Sequence, residues 1–306
     1  MFKHTLTTLA VSVSVFANVS ASEAQPIEKS VESVISLPAG HFFENLTFQN
    51  KEELVATDYT GMSLYKYHEN GQATLWSKVD GHPVSIRFDE QGEGLLSVHE
   101  TSILEGKSFL NSMALYKVNK TGELTRLLGI ESPAFLNGMA YLGNSKYLIA
   151  DAINGKIYQF DMKTNQLMTW LDNAILQPEQ DRPGLPGVNG IQLYKGALYF
   201  TNSAKQLLGK INLQDQKAGA IEIIESGIQA DDFVIDGDGT WFITTHHHEI
   251  IKLTAGKEKS VVLNHGIAGN TAIQMSRKEA GIFYITNDGG LLFGGKDNAG
   301  LHKVKF

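Results

Sequence analysis

The sequence predicts an all-β fold, a six-bladed β-propeller, on three observations. A unit of short segments alternating at period two recurs six times, β-branched and aromatic residues fill those segments between Gly- and Asn-containing turns, and each copy opens on an anchor residue at an equivalent place. The anchors are Glu44, Val84, Asn137, Asn189, Asp231 and Thr271. They stand 40 to 53 residues apart, near the length of a four-stranded blade. A β-sandwich shares the short-strand pattern but does not need a repeated anchor.

In chain order, the first copy reads E-N-L-T-F from Glu44, L-V-A-T-D from Leu54 and M-S-L-Y-K-Y from Met62. The second has V-S-I-R-F from Val84 and L-L-S-V-H from Leu95. The third gives N-G-M-A-Y from Asn137, Y-L-I-A-D from Tyr147 and K-I-Y-Q-F-D from Lys156. The fourth follows with N-G-I-Q-L from Asn189, L-Y-F-T-N from Leu198 and L-G-K-I-N-L from Leu208. The fifth carries D-D-F-V-I from Asp231, W-F-I-T-T from Trp241 and E-I-I-K-L from Glu249, and the sixth T-A-I-Q-M from Thr271 and F-Y-I-T-N from Phe283.

The N-terminus reads as a signal peptide over residues 1–21. Lys3 and His4 precede the apolar run Leu6 to Phe16, too short to span a bilayer, and Val19-Ser20-Ala21 suits cleavage before Ser22. Export to the periplasm or medium is therefore expected, with residues 22–39 an N-terminal segment and 40–306 the propeller. Removing Lys3, the one charge among those residues, takes the formal net charge from -7 to -8. A mildly acidic chain without a basic stripe does not suit nucleic acid, and no later segment is apolar enough for a membrane span. The chain has no cysteine, so a core rather than disulfides must hold it, and thiolate zinc sites and cysteine nucleophiles are excluded.

Inner strands of a propeller start around the central channel, so residues that open successive blades converge. Glu44, Asn137, Asn189 and Asp231 would bring two carboxylates and two amides to one place. Such hard oxygen donors suit a divalent cation, calcium above all. Asn and Asp also cap turns at strand starts. Two carboxylates facing one channel, however, repel and protonate unless a positive group joins them, and no anchor is Lys or Arg.

On these motifs the chain resembles the superfamily of senescence marker protein, gluconolactonase and luciferin-regenerating enzyme, with diisopropyl fluorophosphatase among its members, over residues 40 to 305. The resemblance implies a metal held by a Glu opening the first blade, matched by Glu44 in E-N-L-T-F, by an Asn in an N-G motif, matched by Asn189 in N-G-I-Q-L, and by an Asp, matched by Asp231 before F-V-I-D-G-D-G. Asn137, in N-G-M-A-Y, corresponds to the further Asn of some members and serves as ligand or substrate contact. It also implies hydrolysis of a lactone or ester, with Asp231 or Glu44 as base or nucleophile. Three departures stand out. Asn45-Leu46 replaces a common Gly-Pro, Asp232 stands where Gly commonly follows the Asp, and Phe135 replaces the Arg that sugar-lactone enzymes carry two residues before the Asn. Phe135 therefore points to a substrate unlike a sugar.

Loops joining the second and third strands return to the same face as the anchors, which places His246, His247 and His248 above the site, with His247 assigned to the substrate. The insertion His99 to Ser112 and the Pro-rich stretch Gln177 to Gly187 are expected over the channel mouth. No G-x-S-x-G, H-E-x-x-H or phosphate-binding glycine loop is present, and D-G-D-G at Asp236 reads as a turn. Two other functions stay open: a non-catalytic propeller binding a small molecule or partner around a structural calcium, and metal-free condensation chemistry like that of the strictosidine synthase group.

Overall fold

The computed structural model describes residues 29–105, 113–130 and 133–306. The signal-peptide stretch 1–21 and part of the 99–112 insertion lie outside the described residues. Six four-stranded antiparallel sheets form a closed ring, with the first strand of each sheet against the first strands of its neighbours. The inner strands are Phe43–Phe48, His82–Phe88, Leu136–Gly143, Val188–Tyr194, Phe233–Ile235 and Asn270–Met275. The predicted six-bladed propeller is the observed fold.

Ring closure corrects one boundary. Ser30–Leu37, within the stretch set apart as an N-terminal segment, pairs with Ala299–Lys305 and is the outermost strand of the sixth blade. The propeller therefore begins ahead of residue 40. One blade that joins an early strand to the last one hydrogen-bonds the ring shut, and among the described residues each of the six sheets has four strands.

Apolar packing lies between blades rather than in one central core. Leu46, Phe48 and Tyr284 pack blade 6 on blade 1, Val84, Leu136 and Tyr147 pack blade 2 on blade 3, and Leu208, Phe233 and Trp241 pack blade 4 on blade 5. Hydroxyls from second strands also stitch neighbouring blades, 1 to 2, 4 to 5 and 5 to 6. Thr57, Thr201 and Thr244 each donate to a carbonyl near the start of the next inner strand, at Val84 (3.0 Å), Asp231 (2.8 Å) and Thr271 (2.8 Å).

The anchors have a shared backbone cause. In blades 1, 2, 3, 4 and 6, the register between first and second strands slips by one residue, between Phe43 and Leu46, Pro83 and Ile86, Leu136 and Met139, Val188 and Ile191, and Asn270 and Ile273. A bulge of this kind re-aims a side chain that regular alternation would direct elsewhere. Glu44, Asn137 and Asn189 sit in these bulges. The glycine of each N-G pair has a packing reason too. A β-carbon on Gly138 would come within 2.2 Å of the Asn189 carbonyl oxygen, and one on Gly190 within 2.6 Å of Asp232 Oδ1.

Candidate functional site

Glu44, Asn137, Asn189 and Asp231, drawn from four blades, line one cavity of about 350 Å³ at the head of the inner strands. Glu44, Asn137 and Asn189 are buried, and Asp231 is nearly so. Asn137 Nδ2 donates to Glu44 Oε1 at 3.0 Å, and Asn189 Nδ2 donates to Asp231 Oδ1 at 2.5 Å and to Ser203 Oγ at 3.2 Å. The other carboxylate oxygen of Glu44, Oε2, is buried without a hydrogen-bond partner. Burial first, and then the negative charge of Asp231, push the Glu44 carboxyl well above its ordinary value.

His246 belongs to the same site. Its Nδ1 donates to Asp231 Oδ2 at 2.7 Å, and its Nε2 faces Asp288 Oδ2 at 3.4 Å. Burial opposes a charge on this ring, but Asp231 and then Asp288 outweigh it and hold the imidazole well above its ordinary range. The His246 backbone is left-handed, with φ of 61°, a conformation that costs a non-glycine residue about 1–2 kcal/mol. Ring contacts with both carboxylates offset it.

Phe135 lines the cavity, stacked on the buried His99 ring at 4.9 Å, and its backbone N–H is held by Asp151 Oδ1 at 3.1 Å. His247 does not line the cavity. It is exposed and packs on Phe293 at 4.7 Å, because the turn at His246 directs one ring of the triplet inward and leaves the next outside. Asp232 also stays off the cavity. Burial pushes its carboxyl up to about 7, against the opposing effects of the Phe233 N–H and the Arg87 guanidinium. Arg87 itself bridges inner strands, donating to Thr47 Oγ1 at 2.9 Å and to the Met139 carbonyl at 3.0 Å. Of the Pro-rich stretch, Gly184, Leu185 and Pro186 reach the cavity wall.

Sequence reasoning passed over Asp288 and singled out His247, whereas His246 is the one that lines the cavity, although the repeat carries a signal for both Asp288 and His246. Set against one another, the second-strand ends A-T-D-Y (56–59), F-T-N-S (200–203), I-T-T-H (243–246) and I-T-N-D (285–288) place Ser203, His246 and Asp288 at one repeat position. That position forms a second ring around the anchors. Ser203 and His246 line the cavity from it, and Asp288 backs His246.

The residues present fit a divalent cation. Among the described residues, no three His, Cys, Asp or Glu side chains cluster closely enough to hold a metal alone, so amides must complete any ligand set. Glu44 and Asp231 with the amides of Asn137 and Asn189 supply hard oxygens, one of them the orphaned Glu44 Oε2. Glu44 and Asp231 line the cavity with Asp288 behind them, and His246 is the one basic side chain among the described lining residues.

Fold and site together define a six-bladed propeller with an oxygen-lined cavity at the inner-strand heads. Solved structures share this fold at low identity. Luciferin-regenerating enzyme superposes with a TM-score of 0.67 at 13% identity, over 91% of this chain and 96% of that one. A gluconolactonase from Xanthomonas campestris gives 0.65 at 11%, over 90% and 89%. Regucalcin from Agrobacterium tumefaciens, a calcium-binding protein, gives 0.61 at 14%, over 89% and 94%. No protein-family model matches the sequence, and a search of curated proteins finds no match. The resemblance drawn from the motifs thus holds as kinship of fold to the senescence marker protein, gluconolactonase and luciferin-regenerating enzyme propellers.

Proposed function

We propose that the protein is an exported, divalent-cation-dependent hydrolase of the lactonase and esterase type, with calcium as its ion and a small, non-sugar molecule as its substrate. The observation that carries this reading is the buried pair Glu44 and Asp231, with one carboxylate oxygen left without a partner beside two amides. Likeness of fold to a gluconolactonase and to calcium-binding regucalcin supports it. Export rests on the sequence of residues 1–21.

A cation held by Glu44, Asn137, Asn189 and Asp231 would polarise a carbonyl oxygen and lower the barrier to attack by water. The chain's own groups do the rest. Asn189 and His246 fix the two oxygens of Asp231 and Asn137 fixes one oxygen of Glu44, so that Glu44 Oε2 would face the ion while either carboxylate is held in place to accept a proton from water or to attack. Phe42 and Phe135 in the wall keep bulk water from the floor and offer nothing to sugar hydroxyls.

The amide N–H groups turned onto both carboxylates favour a second reading, a propeller that only binds and uses the ion as a structural plug. Asp231→Asn separates the two. Loss of lactone and ester hydrolysis with an unchanged circular-dichroism spectrum is expected of the hydrolase, and undiminished hydrolysis contradicts it. A large chelator-induced drop in Tm, with no turnover on any lactone, ester or phosphotriester, is the mark of the plug.

A further inference from the structure

We infer that the substrate carries an unbranched alkyl body of several carbons, seated against an apolar collar above the polar floor. The inference rests on the hydrolase reading for the position of the reacting group, and it names what lies beyond that group.

The lining of this cavity divides by chemistry: Glu44, Asn137, Asn189, Asp231 and His246 form a polar side, its floor, and Phe42, Ile103, Phe135, Leu185 and Pro186 an apolar one, its walls. Gln229 is the one other long polar side chain among the described lining residues. A polyhydroxylated body would lose its water there without gaining partners, at a cost for each buried hydroxyl. An alkyl chain gains from the same surface.

The mouth extends the pattern. Leu104, Leu292 and Phe293 line it while 44%, 42% and 59% exposed. The other exposed large apolar side chains among the described residues, such as Leu75, Met168 and Val261, are spread over the outermost strands of separate blades. Only around this opening do three come together, which marks a ligand surface rather than chance exposure.

The collar is also held in place. Asp288 Oδ1 accepts from Gly290 N at 2.7 Å and its Oδ2 from Leu292 N at 3.1 Å, so the residue that backs His246 also shapes the turn Leu291–Phe293. Phe293 packs on the His246 ring at 5.9 Å, and Phe42 meets that ring at 5.9 Å as well. A chain leaving the floor therefore runs between preformed aromatic surfaces, which suits an apolar body with little ordering cost.

The test is a series of γ-lactones whose alkyl side chain lengthens from one to eight carbons, with kcat/KM measured in calcium. The matching γ-lactams, which resist hydrolysis, are titrated calorimetrically for Kd. Burial of each methylene contributes about 0.8 kcal/mol, so both kcat/KM and affinity are expected to rise about four-fold per carbon until the collar is filled. Phe293→Ser and the double variant Leu104→Ser/Leu292→Ser change exposed positions, keep the fold by Tm, and are expected to flatten that slope. Lactams that bind with this chain-length dependence, without hydrolysis of any lactone, uphold the alkyl body and remove the hydrolase. Hydrolysis that ignores chain length upholds the hydrolase and overturns the alkyl body. A slope that survives in both variants, or no lactam binding at any length, overturns it too.

Discussion

His246 Nδ1 lies 2.7 Å from Asp231 Oδ2, and the opposite nitrogen of the same ring faces Asp288 Oδ2 at 3.4 Å. One imidazole thus ties the floor of the cavity to the turn that builds its mouth. His246→Gln leaves Asp288 its backbone partners at Gly290 and Leu292 but removes the imidazole from Asp231 Oδ2, with Asn189 still on Oδ1. Loss of such an orienting partner typically costs about 10–100-fold in activity or metal affinity. Steady-state kinetics and calcium titration of His246→Gln should show that loss, and wild-type values would mean that Asp231 needs no positioning.

The N-G pairs set the approach of neighbouring inner strands. Gly138→Ala drives a β-carbon to 2.2 Å from the Asn189 carbonyl oxygen, where no flexible side chain can give way. Overpacking of this kind costs about 1–3 kcal/mol, and here it also displaces Asn189. Gly237→Ala, with nothing within 4 Å, serves as a control expected to stay within about 0.5 kcal/mol of wild type. Denaturant unfolding of both variants checks this, and equal stabilities would contradict the close approach.

Two buried histidines make the fold acid-sensitive. Burial, followed by the nearby His82, pulls His99 down to about 3, and burial pulls His302 down to about 4. The unfolded chain takes up these protons near pH 6.5, before the folded one does. Stability that is fully present above pH 6.5 is therefore lost as the pH falls toward the folded values, by about 2 kcal/mol for each residue at pH 5. Urea unfolding at pH 7 and pH 5 should show the drop, reduced in His99→Gln and in His302→Gln. A stability independent of pH in this window would contradict it.

Glu44 gives the metal-free protein the opposite sign. Its carboxyl is raised by burial and by Asp231, so the fold favours the neutral acid, and that contribution is lost as pH rises through the raised value. Binding a cation needs the carboxylate. Calcium affinity should rise with pH above the ordinary value of 4.5, by up to about ten-fold per pH unit, with proton release visible as a buffer-dependent heat. Affinity flat across that range would place the ion away from Glu44.

The blades were legible because each repeats a local pattern that the chain states six times, and the four anchors followed from propeller geometry. What escaped was long-range or conformational. Nothing local in Ser30–Leu37 announces a partner at Ala299–Lys305, since the pairing is made only when the ring closes. His246 and His247 are equal as letters, and a left-handed φ of 61° decides which one turns inward. Asp288 sits in N-D-G-G, which reads as a turn and is one, yet the same carboxylate also faces His246. The bulges that aim Glu44, Asn137 and Asn189 were invisible for a related reason: a one-residue slip is a relation between two strands.

The convergence of Glu44, Asn137, Asn189 and Asp231 on one divalent cation is tested most directly by calorimetric titration of chelator-treated protein with calcium at pH 7.5. Wild type should bind a single ion per chain, and Asp231→Asn and Glu44→Gln, each folded by circular dichroism, should lose that binding. No calcium uptake by the wild type, or uptake undiminished in both variants, would contradict it.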